Sequence, residues 1–584
     1  MLKLSGFLRP YRLEVALVLV LTFAQTMSSL YLPKLMSHIV DVGILQGNVP
    51  YIVRIGVWMF AVTLLGGLAA VAASYGSAKA MAGFGQGLRL RLFGHVERFT
   101  PHEFERWGTS SLIVRTTNDV MQVQQLVSML LSMMVMAPLM ALGGILLAVT
   151  TDARLSLVLV VLLPVMGLAI YLVMGRGLGL FRVLQAKVDR LNLVLRENLT
   201  GARVIRSFGR TAYELGRFDV ANRELTDTSV QVFQLMATMM PLVMLIMNLA
   251  TLVVVWFGGV QINAGTLQIG RLMAFIQYVT QIMFAVMMVS MMFFMIPRGQ
   301  ASAQRILEVL ALEPEIVDPE APRQAGAVRG GAGAGGGEVE FRDVSFRYPG
   351  AEEPALSGVS FRSGPGETTA IIGGTGSGKS TLLNLIPRFF DVDVVEGCVL
   401  VDGVDVRDFA QKELRARIGY VPQRAVLFSG SVLENVRYGD EGASESAVRH
   451  ALDVAQATEF VDDLEGGLAA EVAQGGANLS GGQRQRLAIA RALVRRAGVY
   501  LFDDSFSALD YRTDARLRSA LRGELGTATI LVVAQRVSTI VEADRILVLD
   551  DGRLVGVGTH QELLTNCPVY QEIVASQASS GAIA

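Results

Sequence analysis

Charged side chains are scarce in this chain. Asp, Glu, Lys and Arg supply 18% of its 584 residues, while apolar residues supply 52%. With a mean hydropathy of +0.45, that imbalance exceeds what soluble cores need and points to membrane spans. Net charge is nearly absent too, at −1. This removes the electrostatic case for a nucleic-acid partner, because proteins of that kind present a basic face. Cysteine is limited to Cys398 and Cys567. Two residues build no disulfide framework, and both fall in the half read below as cytosolic, so reduced thiols are expected. No internal repeat is found, and no cleavable signal peptide is evident. The first residues, MLKLSGFLRPYRLEV, are basic and amphipathic and run straight into a long apolar segment, as an interfacial elbow before a membrane span would. The length itself argues against one compact core, so two or more domains are expected.

What is present in quantity is long apolar runs. Six of them, at about 14–36, 55–80, 124–150, 155–178, 234–260 and 269–296, are long enough to cross a bilayer. The connection between the second and third runs carries Arg89, Arg91, Arg98, Arg106 and Arg115. That between the fourth and fifth carries Arg182, Lys187, Arg190, Arg196, Arg203, Arg206, Arg210 and Arg217. The other three loops are short and poor in Lys and Arg. By the positive-inside rule, both termini and the two long loops are expected in the cytoplasm. The expected organisation is a transmembrane domain at 1–310 and a linker at 311–338 that contains GGAGAGGG, too flexible and too poor in apolar residues to fold. A soluble α/β domain is expected at 339–576 and a short tail at 577–584, the soluble domain opening on EVEFRDVSFRY, which alternates as a strand does.

The strongest motif is IIGGTGSGKSTLLNL. Gly373, Gly374, Thr375, Gly376, Ser377, Gly378, Lys379 and Ser380 fit GxxxxGK[ST], follow an apolar strand and open a helix that continues through Thr381. Glycines let backbone N–H groups curl around phosphates, and the helix start adds its positive end. Lys379 is placed to reach the β and γ phosphates of a nucleoside triphosphate, and Ser380 to hold Mg²⁺. Downstream, VYLFD is a buried strand ending in Asp503, placed as the acid that reaches Mg²⁺ through water. Between the two lies NLSGGQRQRLAIARAL, where Leu479, Ser480, Gly481, Gly482 and Gln483 make a polar turn before a helix, a second anion cradle.

Six spans, a phosphate loop and LSGGQ followed by QRLAIARA together resemble the ABC exporters known as half-transporters: a membrane α-helical domain fused to one α/β P-loop NTPase domain. The resemblance covers nearly the whole chain, and its implications carry over by position. ATP and Mg²⁺ are the expected cofactors. Tyr348 in FRYPG matches the aromatic that stacks on adenine, and Gln423 in GYVPQ matches the glutamine that senses Mg²⁺ and the γ-phosphate. Ser507, Ala508, Leu509 and Asp510 match the D-loop, while GTSSLIVRTTNDV (108–120) and TGARVIRSFGR (200–210) resemble coupling segments. In this family two domains sandwich two ATPs head to tail, so the signature of one chain completes the Walker site of the other. The resemblance also implies a multi-pass protein of the bacterial inner membrane.

Three positions depart from that pattern. Members competent for hydrolysis usually carry Glu after the Walker B Asp; here the residue is Asp504, one methylene shorter. The switch histidine is replaced by Gln535, and Gln474 stands where exporters commonly have Glu. A general base must reach to within about 3 Å of its water, so this chain's own Walker site is expected to bind ATP and hydrolyse it slowly. Its LSGGQ is intact. That asymmetry resembles one subunit of a heterodimer, whose second half-transporter chain would supply the competent Glu and His. Met236, Met240, Met244 and Met247 in the fifth run recur at helical spacing. Gln277, Gln281, Phe284, Met288, Met291 and Met295 do the same in the sixth. Such faces suit either ordinary helix and lipid contact or a cavity for hydrophobic and amphipathic substrates such as drugs, lipids or peptides. An ATP-gated membrane regulator or channel and an importer of exporter fold are the alternatives.

Overall fold

The computed structural model describes residues 2–323, 337–392 and 397–578. Residues 324–336 of the expected linker, 579–584 of the expected tail and the side chain of Met291 lie outside the described residues.

The chain divides into two compact units, one of residues 1–97 and 108–313, the other of residues 98–107 and 314–584. The first unit is helical. After an elbow over Leu2–Tyr11 come α1 (Arg12–His38) and α2 (Val49–Val96). Beyond the short α3 (Pro101–Trp107) follow α4 (Val120–Thr151), α5 (Leu157–Thr200), α6 (Thr211–Asn263) and α7 (Ile269–Leu310). Among the described residues six helices are long and apolar enough to cross a membrane, and each expected run falls on one of them. Helices are the natural outcome, because in hydrocarbon every backbone polar group needs a partner within the segment. Pro138, Pro164 and Pro241 sit inside α4, α5 and α6, a position that membrane helices tolerate.

Leu162 and Met166 of α5, Ala250 and Val254 of α6 and Phe275 and Ile282 of α7 belong to one buried cluster. Met240 and Met244 are exposed and Met288 is buried, while Gln281 donates its amide to the Ser29 carbonyl at 3.1 Å. Polar contacts join the extension of α7 to the turn before α4. The fully buried Asp119 accepts from the Ser302 hydroxyl at 2.9 Å and from Arg305 Nε at 2.8 Å. A buried carboxylate needs several such donors, because one left unpaired is strongly destabilising.

In the second unit, Glu103 of α3 is buried; its carboxylate accepts from the Thr100 N–H at 2.7 Å and the Glu315 N–H at 3.1 Å. Of the loop between α2 and α4, residues 98–107 cluster with the second unit, whereas 108–120 and 200–210, the two segments expected to couple, cluster with the first. The rest of the unit is α/β. Strands β1 (Val339–Phe346), β2 (Leu356–Ser363), β4 (Cys398–Val401) and β5 (Val404–Asp405) form an antiparallel sheet in the order β2-β1-β4-β5. The second sheet holds β3 (Thr368–Gly373), β6 (Ile418–Val421), β7 (Val499–Asp503), β8 (Thr529–Val533), β9 (Arg545–Asp550) and β10 (Arg553–Gly558). Their order is β10-β9-β3-β8-β7-β6, with every pair parallel except β9–β10. β7 and β8 are buried at every residue, as expected of parallel strands covered on both faces.

Candidate functional site

The central strands β3, β7 and β8 run parallel, so their carboxyl ends open on one edge of the sheet, the usual ligand crevice of such folds. The phosphate loop leaves β3 there and turns into α8 (Lys379–Leu385). Two glycines in it are obligatory on steric grounds. Gly378 has φ +93°, and a Cβ at that position would lie 2.6 Å from the Ala355 carbonyl oxygen; at Gly373 a Cβ would lie 2.0 Å from that of Leu549. Gly374, Thr375 and Gly376 are open to solvent, whereas Ser377 is buried.

Lys379 folds back over the loop, donating to the carbonyls of Gly373 at 3.0 Å and Gly374 at 2.6 Å. Burial lowers its pKa, opposed by the nearby Asp504 and Asp503 carboxylates. It is thus a cation held short of solvent beside a loop of N–H groups, an arrangement suited to phosphate.

The acids emerge from the neighbouring strand. Asp503, the last residue of β7, accepts from the Ser380 hydroxyl at 2.9 Å. Burial raises its pKa, the Ser380 bond opposing this and the Asp504 charge adding to it. Ser380 and Asp503 are therefore adjacent hard oxygen donors in a dry setting. Among the described residues no group of three His, Cys, Asp or Glu could hold a metal unaided. The pair fits the way Mg²⁺ binds, through one carboxylate, a hydroxyl and phosphate oxygens.

Asp504 is buried at φ +47°, a left-handed conformation that Asp tolerates better than most side chains. Its N–H donates to the Val533 carbonyl at 3.0 Å, which fastens it to the end of β8. Its Oδ2 accepts two amides, from Gln535 Nε2 at 2.8 Å and from Gln423 Nε2 at 3.2 Å. Two of the three departures from the hydrolytic pattern therefore meet on one oxygen, together with the glutamine expected to sense the γ-phosphate.

Tyr348 stands edge-on to Phe346 (4.9 Å) and Phe390 (5.2 Å), and its hydroxyl pairs with Thr381 Oγ1 at 2.9 Å. Beside it lies a cavity of about 490 Å³, also lined by His102, Asn384, Phe390 and Tyr420. Among the described residues, none from the phosphate loop lines this cavity; Tyr348 is tied to the helix after that loop through Thr381.

The signature turn lies elsewhere in the unit, at the start of α9 (Gly481–Leu493). Ser480 caps that helix, accepting from the Gln483 N–H at 3.3 Å, while the Gln483 side chain accepts from the Ser480 N–H at 2.8 Å. This capping box presents Gly481 with nothing near its Cβ position. Arg484 bonds the Leu479 carbonyl at 2.6 Å. A Cβ on Gly482 would lie 3.3 Å from the Ala508 carbonyl oxygen, so the signature borders the D-loop of its own chain. In that loop the Ser507 hydroxyl donates to the Asp504 carbonyl at 2.9 Å and Leu509 is buried. Asp510 caps α10 (Tyr511–Glu524) by accepting from the Thr513 N–H at 2.9 Å, a bond that lowers its pKa. Gln474 lies in a short helical turn, Gln474–Gly476, apart from this oxygen cluster in sequence.

Sequence reasoning passed over two residues that hold the segment after β8. Arg518 of α10 donates to the carbonyls of Ser538 at 3.3 Å and Thr539 at 3.5 Å. Gln577 makes two bonds to the same segment. Neither belongs to a motif, and their partners lie 20 to 42 residues away, so no local spacing marks them.

Comparison with known proteins supports what the geometry suggests. Residues 15–286 match the family model for the ABC transporter transmembrane region, and residues 356–507 that for the ABC transporter. An uncharacterized ABC transporter ATP-binding protein of Mycobacterium tuberculosis is 44% identical over 584 residues, covering 99% of this chain and 98% of that one. An ATP-dependent lipid A-core flippase of Vibrio vulnificus is 32% identical over 581 residues, covering 99% and 98%. Among solved structures, a bacterial Atm1-family ABC exporter with ATP bound superposes with a TM-score of 0.80 at 27% identity, covering 98% of each chain.

Proposed function

The chain belongs to the ABC transporter family, as a half-transporter whose N-terminal transmembrane domain is fused to an ATP-binding domain, and on that premise we propose that it is one subunit of a heterodimeric exporter whose own Walker motifs retain ATP and hydrolyse it slowly. The observation that carries this reading is the double amide bond on Asp504 Oδ2. A general base needs a free lone pair aimed at its water. Here the shortened carboxylate reaches less far, and the oxygen concerned already accepts from two neutral amides. Gln535 can donate to a γ-phosphate or to Asp504, but an amide cannot take up and release a proton as a histidine does.

On this reading Lys379, the loop N–H groups, Ser380 and Asp503 hold Mg²⁺-ATP, and Tyr348 stacks on the base. Leu479, Ser480, Gly481, Gly482 and Gln483 complete the partner's site, where the partner's Glu and His carry out the hydrolysis. Closure of the two domains on ATP drives an alternating-access cycle in the membrane, with both termini and the ATP-binding domains in the cytoplasm of a bacterial cell. The cargo is a hydrophobic or amphipathic compound; a relative named as a lipid A-core flippase favours a lipid-like one.

The test is the order of two substitutions in the complex purified through a tag on this chain. Ser480→Arg should remove most ATPase activity, and Asp504→Asn should remove little. The opposite order would overturn the assignment. Substrate-stimulated hydrolysis with uptake into inverted vesicles should accompany it; conductance without turnover would instead identify an ATP-gated channel.

A further inference from the structure

The switch segment that carries Gln535 continues into a single helical turn, α11 (Val537–Ile540). Arg536, at its N-cap, offers no side-chain cap, yet Val537 and Ile540 are buried. A helix start leaves N–H groups without internal partners, and a buried one left unmet is costly. Gln577 meets this need. Its Oε1 accepts from the Val537 N–H at 2.8 Å, and its Nε2 donates to the Gln535 carbonyl at 2.7 Å. One side-chain amide therefore binds the backbone on both sides of Arg536, as a neighbouring peptide group in a sheet would.

The direction of that amide is set by the last helix, α12 (Pro568–Ala578). Tyr570 is fully buried, and Ile573 and Val574 pack against the same core. Residue 577 follows them at helical spacing and so shares their inward face. Tyr570 is itself fixed by a 2.7 Å bond to His560 Nδ1. The chain of contacts thus runs from the Tyr570 anchor through Gln577 to the backbone of Gln535, and from the Gln535 side chain to Asp504.

We infer that Gln577 is a positioning residue for the switch segment, fixing the backbone from which Gln535 reaches Asp504 and the position a γ-phosphate would occupy. The inference rests on the reading of this Walker site as an ATP site. Both ends of the Gln577 amide are taken up by the backbone of the switch segment, so its signature is selectivity for the third phosphate and not overall affinity.

The experiment is equilibrium binding of Mg²⁺-ATP and Mg²⁺-ADP to the full-length chain in nanodiscs. Gln577→Met removes both bonds at nearly constant volume. Gln571→Met is the control; Gln571 lies on the same helix, but its amide bonds the Leu564 and Thr565 carbonyls. Loss of two neutral hydrogen bonds should weaken Mg²⁺-ATP about tenfold in Gln577→Met and leave Mg²⁺-ADP within about twofold. The control should leave both unchanged. Equal weakening of the two nucleotides, or no change in Mg²⁺-ATP, would overturn the inference. Lys379→Ala tests the underlying site separately: it should weaken both nucleotides, and if it weakens neither, the Walker assignment fails and the inference with it.

Discussion

If Asp504 fails as a base because of its reach and its amide partners, then supplying both missing parts should restore hydrolysis at this chain's own Walker site. Asp504→Glu adds one methylene, and a misplacement of about 1 Å at a reacting group costs on the order of a hundredfold in rate. The longer carboxylate alone would not recover all of this, since Gln535 still donates to the acid at 2.8 Å. A hydrogen bond to a charged group is worth about 1.5–3 kcal/mol, and each ~1.4 kcal/mol is a factor of ten in rate. The single change should therefore yield about a tenfold gain, and the pair Asp504→Glu with Gln535→His about a hundredfold. The measurement needs a silent background. Ser480→Arg in the same chain disables the site that this signature completes, so the remaining ATPase activity of the purified complex reports on this chain's Walker motifs alone. Expected are near-zero turnover with Ser480→Arg, and recovery when the pair is added. Two results would refute the reasoning: no gain from the pair, or a Ser480→Arg complex that retains most activity and loses it on Asp504→Asn.

Other consequences are simpler to check. Tyr348→Ala should weaken Mg²⁺-ATP binding by about tenfold, because stacking of a base on an aromatic ring is worth about 1–3 kcal/mol. Tyr348→Phe, which loses only the 2.9 Å bond to Thr381, should change it by less than about threefold; titration calorimetry separates the two. Burial raises the Asp503 pKa above its ordinary 3.8, so the stability this group contributes is fully present below that pH and is lost as pH rises through the higher folded value. Asp503→Asn should accordingly raise the melting temperature of the nucleotide-free protein at pH 7, and the gain should vanish at pH below 3.8. Glu103→Ala leaves the N–H groups of Thr100 and Glu315 without their acceptor and should destabilise the second unit by about 2–3 kcal/mol, read as a lower melting temperature.

The parts of this molecule that were legible in the sequence are those governed by one-dimensional rules. A bilayer demands a long apolar run, so six runs gave six helices. A phosphate loop demands glycines at fixed offsets, so Gly373 and Gly378 announced themselves before any carbonyl could be seen pressing on them. The ends of the helices were less legible. α2 continues to Val96 and α5 to Thr200, because charged extensions outside the bilayer need only helical periodicity and lack the apolar signal that marks a span. The role of Glu103 was illegible for a related reason: it caps a short helix and holds a distant N–H, and no spacing encodes a partner 212 residues away. Gln577 was invisible for the same reason, since a lone glutamine near a chain end has no local reason to be anywhere.

Two of the three departures, Asp504 and Gln535, could each be read as drift when taken separately. Joined through one oxygen they make a consistent resting arrangement, and the backbone carries it further. The Asp504 carbonyl accepts the Ser507 hydroxyl at 2.9 Å, and the next residue, Ala508, borders Gly482. Four residues therefore separate the acid of this chain's Walker site from its signature, which on the proposed reading completes the partner's site. On that reading, movement of Asp504 on Gln423 and Gln535 turning toward a γ-phosphate would pass to the D-loop, which buried Leu509 and the Asp510 cap hold. From there it would reach the glycine turn on the far side. On the proposed reading, a Walker site that hydrolyses slowly would still keep this path to the signature, and so would keep a part in the partner's cycle.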